Sequence, residues 1–251
     1  MSRERIALQP AYVLHHRPYR NSSRLLEVFS RDHGRLGMVA RGVGSRRSRL
    51  QGRLQPFRPL LLSWVGRGEL ATLTDAEMDG PPPALSGAAL MAGFYLNELL
   101  LRLTGRHVAA SRLFHDYRRA LEALGRGQGL DQAVLRRFEC RLLEELGYGL
   151  ILEQDVDSGE PILPHRRYCY HIERGPVAVK EGEEERQGVQ LTGRTLLALA
   201  AGDFPDEDSL REARRLMRRV LAFYLGDRPL RSRELFRTLE SGSQGNRYRE
   251  E

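Results

Sequence analysis

The chain has 251 residues, 41% hydrophobic and 29% charged, a globular composition long enough for one large domain or two modest ones. Its 40 basic and 33 acidic residues leave a net charge of +7, and no apolar run approaches the roughly 20 residues of a membrane span. The N-terminus, MSRERIALQPAYVL, lacks the apolar core and cleavage site of a signal peptide, so a cytoplasmic location is expected.

Cys140 and Cys169 are the only cysteines and supply neither a disulfide framework nor a metal quartet. Lys180 is the only lysine. A genome rich in G and C explains that bias, so single arginines carry little weight.

From Ala11 the pattern is strand-like. Tyr12–Arg17 is a first predicted strand, stopped by Pro18, which cannot donate to a ladder. Arg24–Phe29 is the second, ending in the turn Arg31-Asp32-His33-Gly34. In the third, Leu36, Met38 and Ala40 share one face, and Arg35, Gly37, Val39 and Arg41 share the other. That period of two reads as a half-buried strand presenting charge. Leu60–Val65 and Leu70–Thr74 flank Gly66-Arg67-Gly68 and read as a hairpin. Five short strands over residues 1–79 predict a barrel, and the five-stranded barrel that binds oligonucleotides is the OB-fold.

Between the third and fourth strands lies the strongest functional signal. Arg31–Arg58 holds eight arginines against Asp32 alone, a net +7, so the rest of the chain is neutral. A positive field concentrated in one segment suits a polyanion. Its middle, Gly42–Gln55, is poor in strand residues and rich in Gly, Ser and Arg, which predicts a long functional loop. Phe57, Tyr12, Tyr19 and Phe29 could stack on bases, but core or turn packing is the ordinary role of such residues.

Gly80-Pro81-Pro82-Pro83 marks a boundary, since three prolines fit no helix or strand interior. Helical spacing follows: Leu85–Thr104 stops at Gly105, and Ser111–Leu124 stops at Gly125. A third helix, capped by Asp131, presents Leu135, Phe138, Leu142 and Leu146 and ends at Gly147. Three antiparallel helices over residues 84–149 predict the first part of a bundle. Residues 150–190 read as a small insertion with strands at Tyr168–Ile172 and Val177–Lys180. The bundle resumes over residues 191–240, with Thr192 capping a helix through Ala201 and a second helix at Ser209–Leu225. That last helix buries Leu210, Ala213, Met217, Val220 and Tyr224 and exposes Arg211, Arg214, Arg215, Arg218 and Arg219. The tail 241–251 is expected to be disordered.

Enzyme signatures are missing. His15 and His16 alternate across a strand and cannot share a metal, and Cys169, His171 and His165 lack a fourth ligand. No H-E-x-x-H, G-x-x-x-x-G-K or G-x-S-x-G occurs. The acidic run Glu181–Glu185 lacks EF-hand spacing and reads as a solvated turn.

With these residues laid out, the chain resembles the RecO family of bacterial recombination mediators. The stretches that carry the likeness are VLHHRPY, RLLEVFSRDHGRLGMVARGVGSRRS, LQPFRPLLLSWVGRGELATL, FYLNELLLRL, LRRFECRLLEELGYG, SGEP and PLRSRELF, in that order. The resemblance implies an α+β fold: a five-stranded OB-fold barrel, then a mainly helical bundle domain with a small insertion. It implies no catalysis and no cofactor. It also implies binding of single- and double-stranded DNA, strand annealing, and interaction with single-strand-binding protein (SSB) and RecR to promote loading of RecA. Many members carry a four-cysteine zinc site after GYG. Here that region holds only Cys169, so a zinc-free insertion is expected.

The candidate DNA-binding residues are Arg35, Arg41, Arg46, Arg47, Arg49 and Arg53. On the family match, Arg136 and Arg137 become candidates for the carboxylates of the SSB tail. Residues alone leave an OB-fold RNA-binding protein as the alternative.

Overall fold

A computed structural model describes residues 5–43, 49–66, 68–127, 130–180, 188–226 and 228–232. The acidic run Glu181–Glu185 and the tail from Ser241 lie outside the described residues. The chain divides into two compact units, residues 1–130 with 230–251 and residues 131–229. The division falls after Leu130 rather than at the proline run, because the first two long helices pack with the strands.

In the first unit, strands β1 (Arg5–Tyr19), β2 (Ser23–Ser30), β3 (Gly34–Ala40), β4 (Leu60–Val65) and β5 (Leu70–Met78) close a barrel in the order β1-β2-β3-β5-β4. All pairs are antiparallel except β3 with β5. Val13, Leu26, Val28, Leu36, Met38, Leu60 and Leu62 fill the interior, as the alternation of β3 required.

Two readings are corrected here. Pro18 does not stop β1, which runs on to Tyr19 with Pro18 paired to Arg24. Beyond Ala11 the recorded register of β1 is with β2 alone, and a strand with one partner loses few bonds to a proline. The segment expected as an open basic loop contains a short helix, α1 (Arg49–Arg53). Val43 and Leu54 are fully buried, with Leu50 packed beside them against the barrel core. Spaced among arginines, these apolar residues showed no strand period, yet they cover the barrel's apolar interior.

Helices α2 (Gly87–Leu103) and α3 (Ser111–Arg126) complete this unit; α3 runs one residue past Gly125. Tyr12 and Phe29 alternate with the core residues Val13 and Val28 and so point outward from the barrel. There they meet Phe114 and Tyr117 of α3, with ring centroids 5.1–6.3 Å apart. The buried Tyr117 hydroxyl donates to Asn97 Oδ1 (2.5 Å), and Asn97 Nδ2 donates to Leu14 O (2.8 Å). Burial pushes the Tyr12 phenol up to about 12 and that of Tyr117 well above its ordinary value. These aromatic rings are therefore packing groups. Phe57 joins them, edge-on to Phe94 and 6% exposed.

The second unit contains α4 (Gln132–Glu145), β6 (Arg167–His171), β7 (Gly175–Ala178), β8 (Val189–Thr192), α5 (Gly193–Ala201) and α6 (Glu207–Leu225). Asp131 caps α4 by accepting from Ala133 N (2.8 Å), Thr192 caps α5 and Asp206 caps α6. The insertion is a three-stranded antiparallel sheet in the order β7-β6-β8. Its third strand was hidden in four residues beside a helix cap. Leu210 and Tyr224 are half-buried rather than core, whereas Ala213, Met217 and Val220 are buried as expected.

Candidate nucleic-acid interface

The barrel unit carries the charge. Residues 1–130 and 230–251 hold 25 basic against 14 acidic residues, and residues 131–229 hold 15 against 19. The positive excess therefore lies on the barrel unit, the property that favours a polyanion.

The six predicted DNA-binding arginines are not equivalent. Arg35, on β3, has a side chain 14% exposed; it pairs with Glu27 at 3.2 Å and donates to Thr104 O at 2.9 Å. Arg53 ends α1 and donates to Ala76 O on β5 (2.9 Å). Both hold the barrel together. Arg41, just past β3, is exposed. Arg46 and Arg47 lie outside the described residues, as does the side chain of Arg49.

Strand register brings further arginines to Arg41. Arg24 on β2 pairs with Ala40, its neighbour in the chain, and with Pro18 across the β1–β2 hairpin. Arg17 is exposed on β1, and Arg20 in the hairpin turn lies 5.1 Å from the centre of the Tyr19 ring. Residues 16–26 contain no acid, and Arg17, Arg20 and Arg41 are exposed at one end of β1, β2 and β3 as a basic edge. Arg24 instead shares the inward face of Leu26 and Ala40, and one of its guanidinium nitrogens is buried. His16 sits at this edge, held below the ordinary imidazole value by burial and by the Arg24 charge. The signal was present in the sequence as HHRPYRNSSR, but a strand ending at Pro18 would not have placed it beside Arg41.

The outward face of the barrel beside this edge is open. Leu26, Met38 and Ala71 point inward, so their chain neighbours point out. One outward row runs His15–Glu27–Gly37–Leu70 across four strands, and the next runs Arg17–Leu25–Val39–Thr72. Arg106, from the α2–α3 connection, lies over the first row and forms an ion pair with Glu27. In an OB-fold barrel this face and its flanking loops are where oligonucleotides lie.

In the second unit the two tail-binding candidates differ. Arg136 is 5% exposed and bonded to the fully buried Glu139 at 2.6 Å. Arg137 is half-exposed, 3.9 Å from Asp131. The donor set for the zinc of many RecO-family members does not fit this chain. Cys169 is fully buried in β6, and among the described residues no group of three or more His, Cys, Asp or Glu could hold a metal. The Asp155 carboxylate instead ties the turn to β7: its Oδ1 accepts from Asp157 N (2.9 Å) and Ser158 N (3.2 Å), and its Oδ2 from Ala178 N (2.9 Å). Burial works against this charge, but the backbone N–H groups outweigh it and hold the carboxyl below its ordinary range. No helix among the described residues is long and apolar enough to cross a membrane.

Comparison with known proteins agrees with this architecture. Residues 1–81 match the family model for the N-terminal region of recombination protein O, and residues 85–234 match that for its C-terminal region. The chain belongs to the RecO family. It is 53% identical over 239 residues to the DNA repair protein RecO of Alkalilimnicola ehrlichii, covering 95% of this chain and 94% of that one. With the RecO of Nitrosococcus oceani it shares 51% over 235 residues, 94% of each chain. With that of Coxiella burnetii it shares 46% over 232 residues, 92% of this chain and 98% of the relative. The family assignment from the sequence motifs is borne out, as is the barrel followed by a helical domain.

Proposed function

We infer that this protein is a non-enzymatic recombination mediator of DNA repair. It binds single- and double-stranded DNA on the barrel, anneals complementary strands, and works with SSB and RecR to load RecA. The observation that carries this reading is the basic edge of Arg17, Arg20 and Arg41 beside an open barrel face. Guanidiniums in a row neutralise phosphates and release counterions, a contribution that ignores base sequence and weakens with salt. The family of the chain and the names of its relatives support the repair role. Arg46, Arg47 and Arg49 are further candidates for phosphate contact in this reading, and Arg137 offers the exposed guanidinium for the SSB tail.

The test is binding of a fluorescent single-stranded DNA oligomer across a salt series, followed by annealing of SSB-coated complementary strands. Changing Arg17, Arg20 and Arg41 together to Ala removes up to three phosphate contacts. The slope of log K against log salt then falls by about 2, at roughly 0.7 per phosphate for a single strand. An unchanged slope places the DNA elsewhere. Failure of the parent chain to anneal SSB-coated strands overturns the mediator role.

A further inference from the structure

The open barrel face holds a recess of 390 Å³ lined in part by His15, Arg17, Leu25, Glu27, Leu70 and Arg106, at the lower end of the roughly 300–1,000 Å³ of small-ligand pockets. Gly37 on β3 lies beside it. A Cβ there would stand 2.8 Å from Arg106 Nη1, 2.9 Å from Glu69 O and 3.1 Å from Leu70 Cδ2. Glycine thus lets Arg106 and the start of β5 close in on the sheet.

The chemistry of the recess differs from that of the edge. Arg17 borders both, but the recess also contains Glu27 and Glu69. Arg35 and Arg106 are already bound to Glu27. A phosphate there would meet two carboxylates, and Arg106 is already bound to one of them. Leu70, by contrast, is 50% exposed, and Leu25 and Val39 form a half-buried apolar strip beside it. An apolar wall, a guanidinium and fixed acceptors suit a flat, uncharged, hydrogen-bonding group.

We propose that the recess between Leu25, Leu70 and Arg106 is a nucleobase subsite, receiving a base of a single strand whose phosphates run along the Arg17–Arg41 edge. It rests on the reading that the barrel binds nucleic acid. The base lies against Leu70 and the Leu25–Val39 strip, and Arg106 and the Glu69 carbonyl border its polar rim. The aromatic rings that usually supply such a platform are buried under α3 in this protein, so aliphatic side chains take that role.

The test compares a thymidine oligomer with one of equal length whose central stretch is abasic, for the full chain and for Leu70→Ser. Leu70 is exposed, so the variant should fold, and a thermal melt checks this. Base-bearing DNA should bind about five- to tenfold tighter than the abasic strand, the scale of one stacked base, and Leu70→Ser should lose most of that margin while keeping the salt slope. Methyl resonances of Leu25, Val39 and Leu70 should shift with the thymidine oligomer and not with the abasic one. If both oligomers bind the parent equally and those methyls stay still, the subsite falls while DNA binding on the edge stands. If neither oligomer binds the parent, the nucleic-acid reading falls with it.

Discussion

Glu98 on α2 and Ser232, 134 positions later, share a double contact. Glu98 Oε2 accepts from both Ser232 N (2.9 Å) and Ser232 Oγ (2.6 Å), while Oε1 accepts from Arg231 N (2.9 Å). The carboxylate caps backbone donors where the chain, having left at residue 131, rejoins the barrel unit. Leu230 beside it is 3% exposed. Residues 230–232 are therefore stitched to the barrel unit.

Glu98→Ala removes the acceptors of three donors. We expect a loss of about 1–2 kcal/mol, the scale of a lost helix cap, or a melting temperature lower by roughly 2–6 °C for a chain of this size. Limited proteolysis should cut near Leu230 earlier than in the parent. Unchanged cutting and melting would mean that Leu230 alone anchors the segment.

Arg136 and Arg137 should separate stability from partner binding. Arg136 is bonded to a buried glutamate, and removing one partner of a buried pair costs about 3–5 kcal/mol. Arg136→Ala should therefore unfold at distinctly lower denaturant. Arg137→Ala should leave unfolding within about 0.5 kcal/mol of the parent, as ordinary surface changes do. Titration of an SSB-tail peptide by calorimetry should weaken for Arg137→Ala. Equal peptide affinity in that variant would remove Arg137 from the docking site.

Asp155 gives a pH signature. Its carboxyl lies below the ordinary value in the folded chain, so its stabilisation is present above the unfolded value of about 3.9 and is lost as pH falls through the lower folded value. Asp155→Ala strands three backbone donors of the turn and of β7, at a cost of about 3 kcal/mol near neutrality. In denaturant melts, the gap between parent and variant should be level from pH 7 to about 5 and shrink below about 4. A gap that widens on acidification would contradict the assigned sign.

The arginine row of α6 offers the internal comparison for DNA binding. Arg214, Arg218 and Arg219 are exposed, but they belong to a unit with more acidic than basic residues. Changing all three to Ala should weaken single-strand binding less than about twofold at 0.1 M salt. The Arg17, Arg20 and Arg41 triple change should weaken it more than about tenfold. A reversed order in the same titration would move the DNA track to the second unit.

Local patterns carried much of the architecture. The alternation of Leu36, Met38 and Ala40 needed only the pleat to become a core face, and Asp131, Thr192 and Gly226 act at helix ends through neighbours a few residues away. The concentration of arginine in Arg31–Arg58 was likewise legible, being a property of order along the chain. What each arginine does was decided elsewhere. Arg35 and Arg53 became internal ties because Thr104 and Ala76, 69 and 23 positions away, present carbonyls to them. Arg17 and Arg20 joined Arg41 because strand register, not sequence distance, sets which residues lie side by side. The recess beside β3 depends on Leu70 from a parallel pairing and on Arg106 from beyond the barrel. A single pattern along the chain determines burial and charge density; only closure of the barrel determines which charges are spent on one another and which face a ligand.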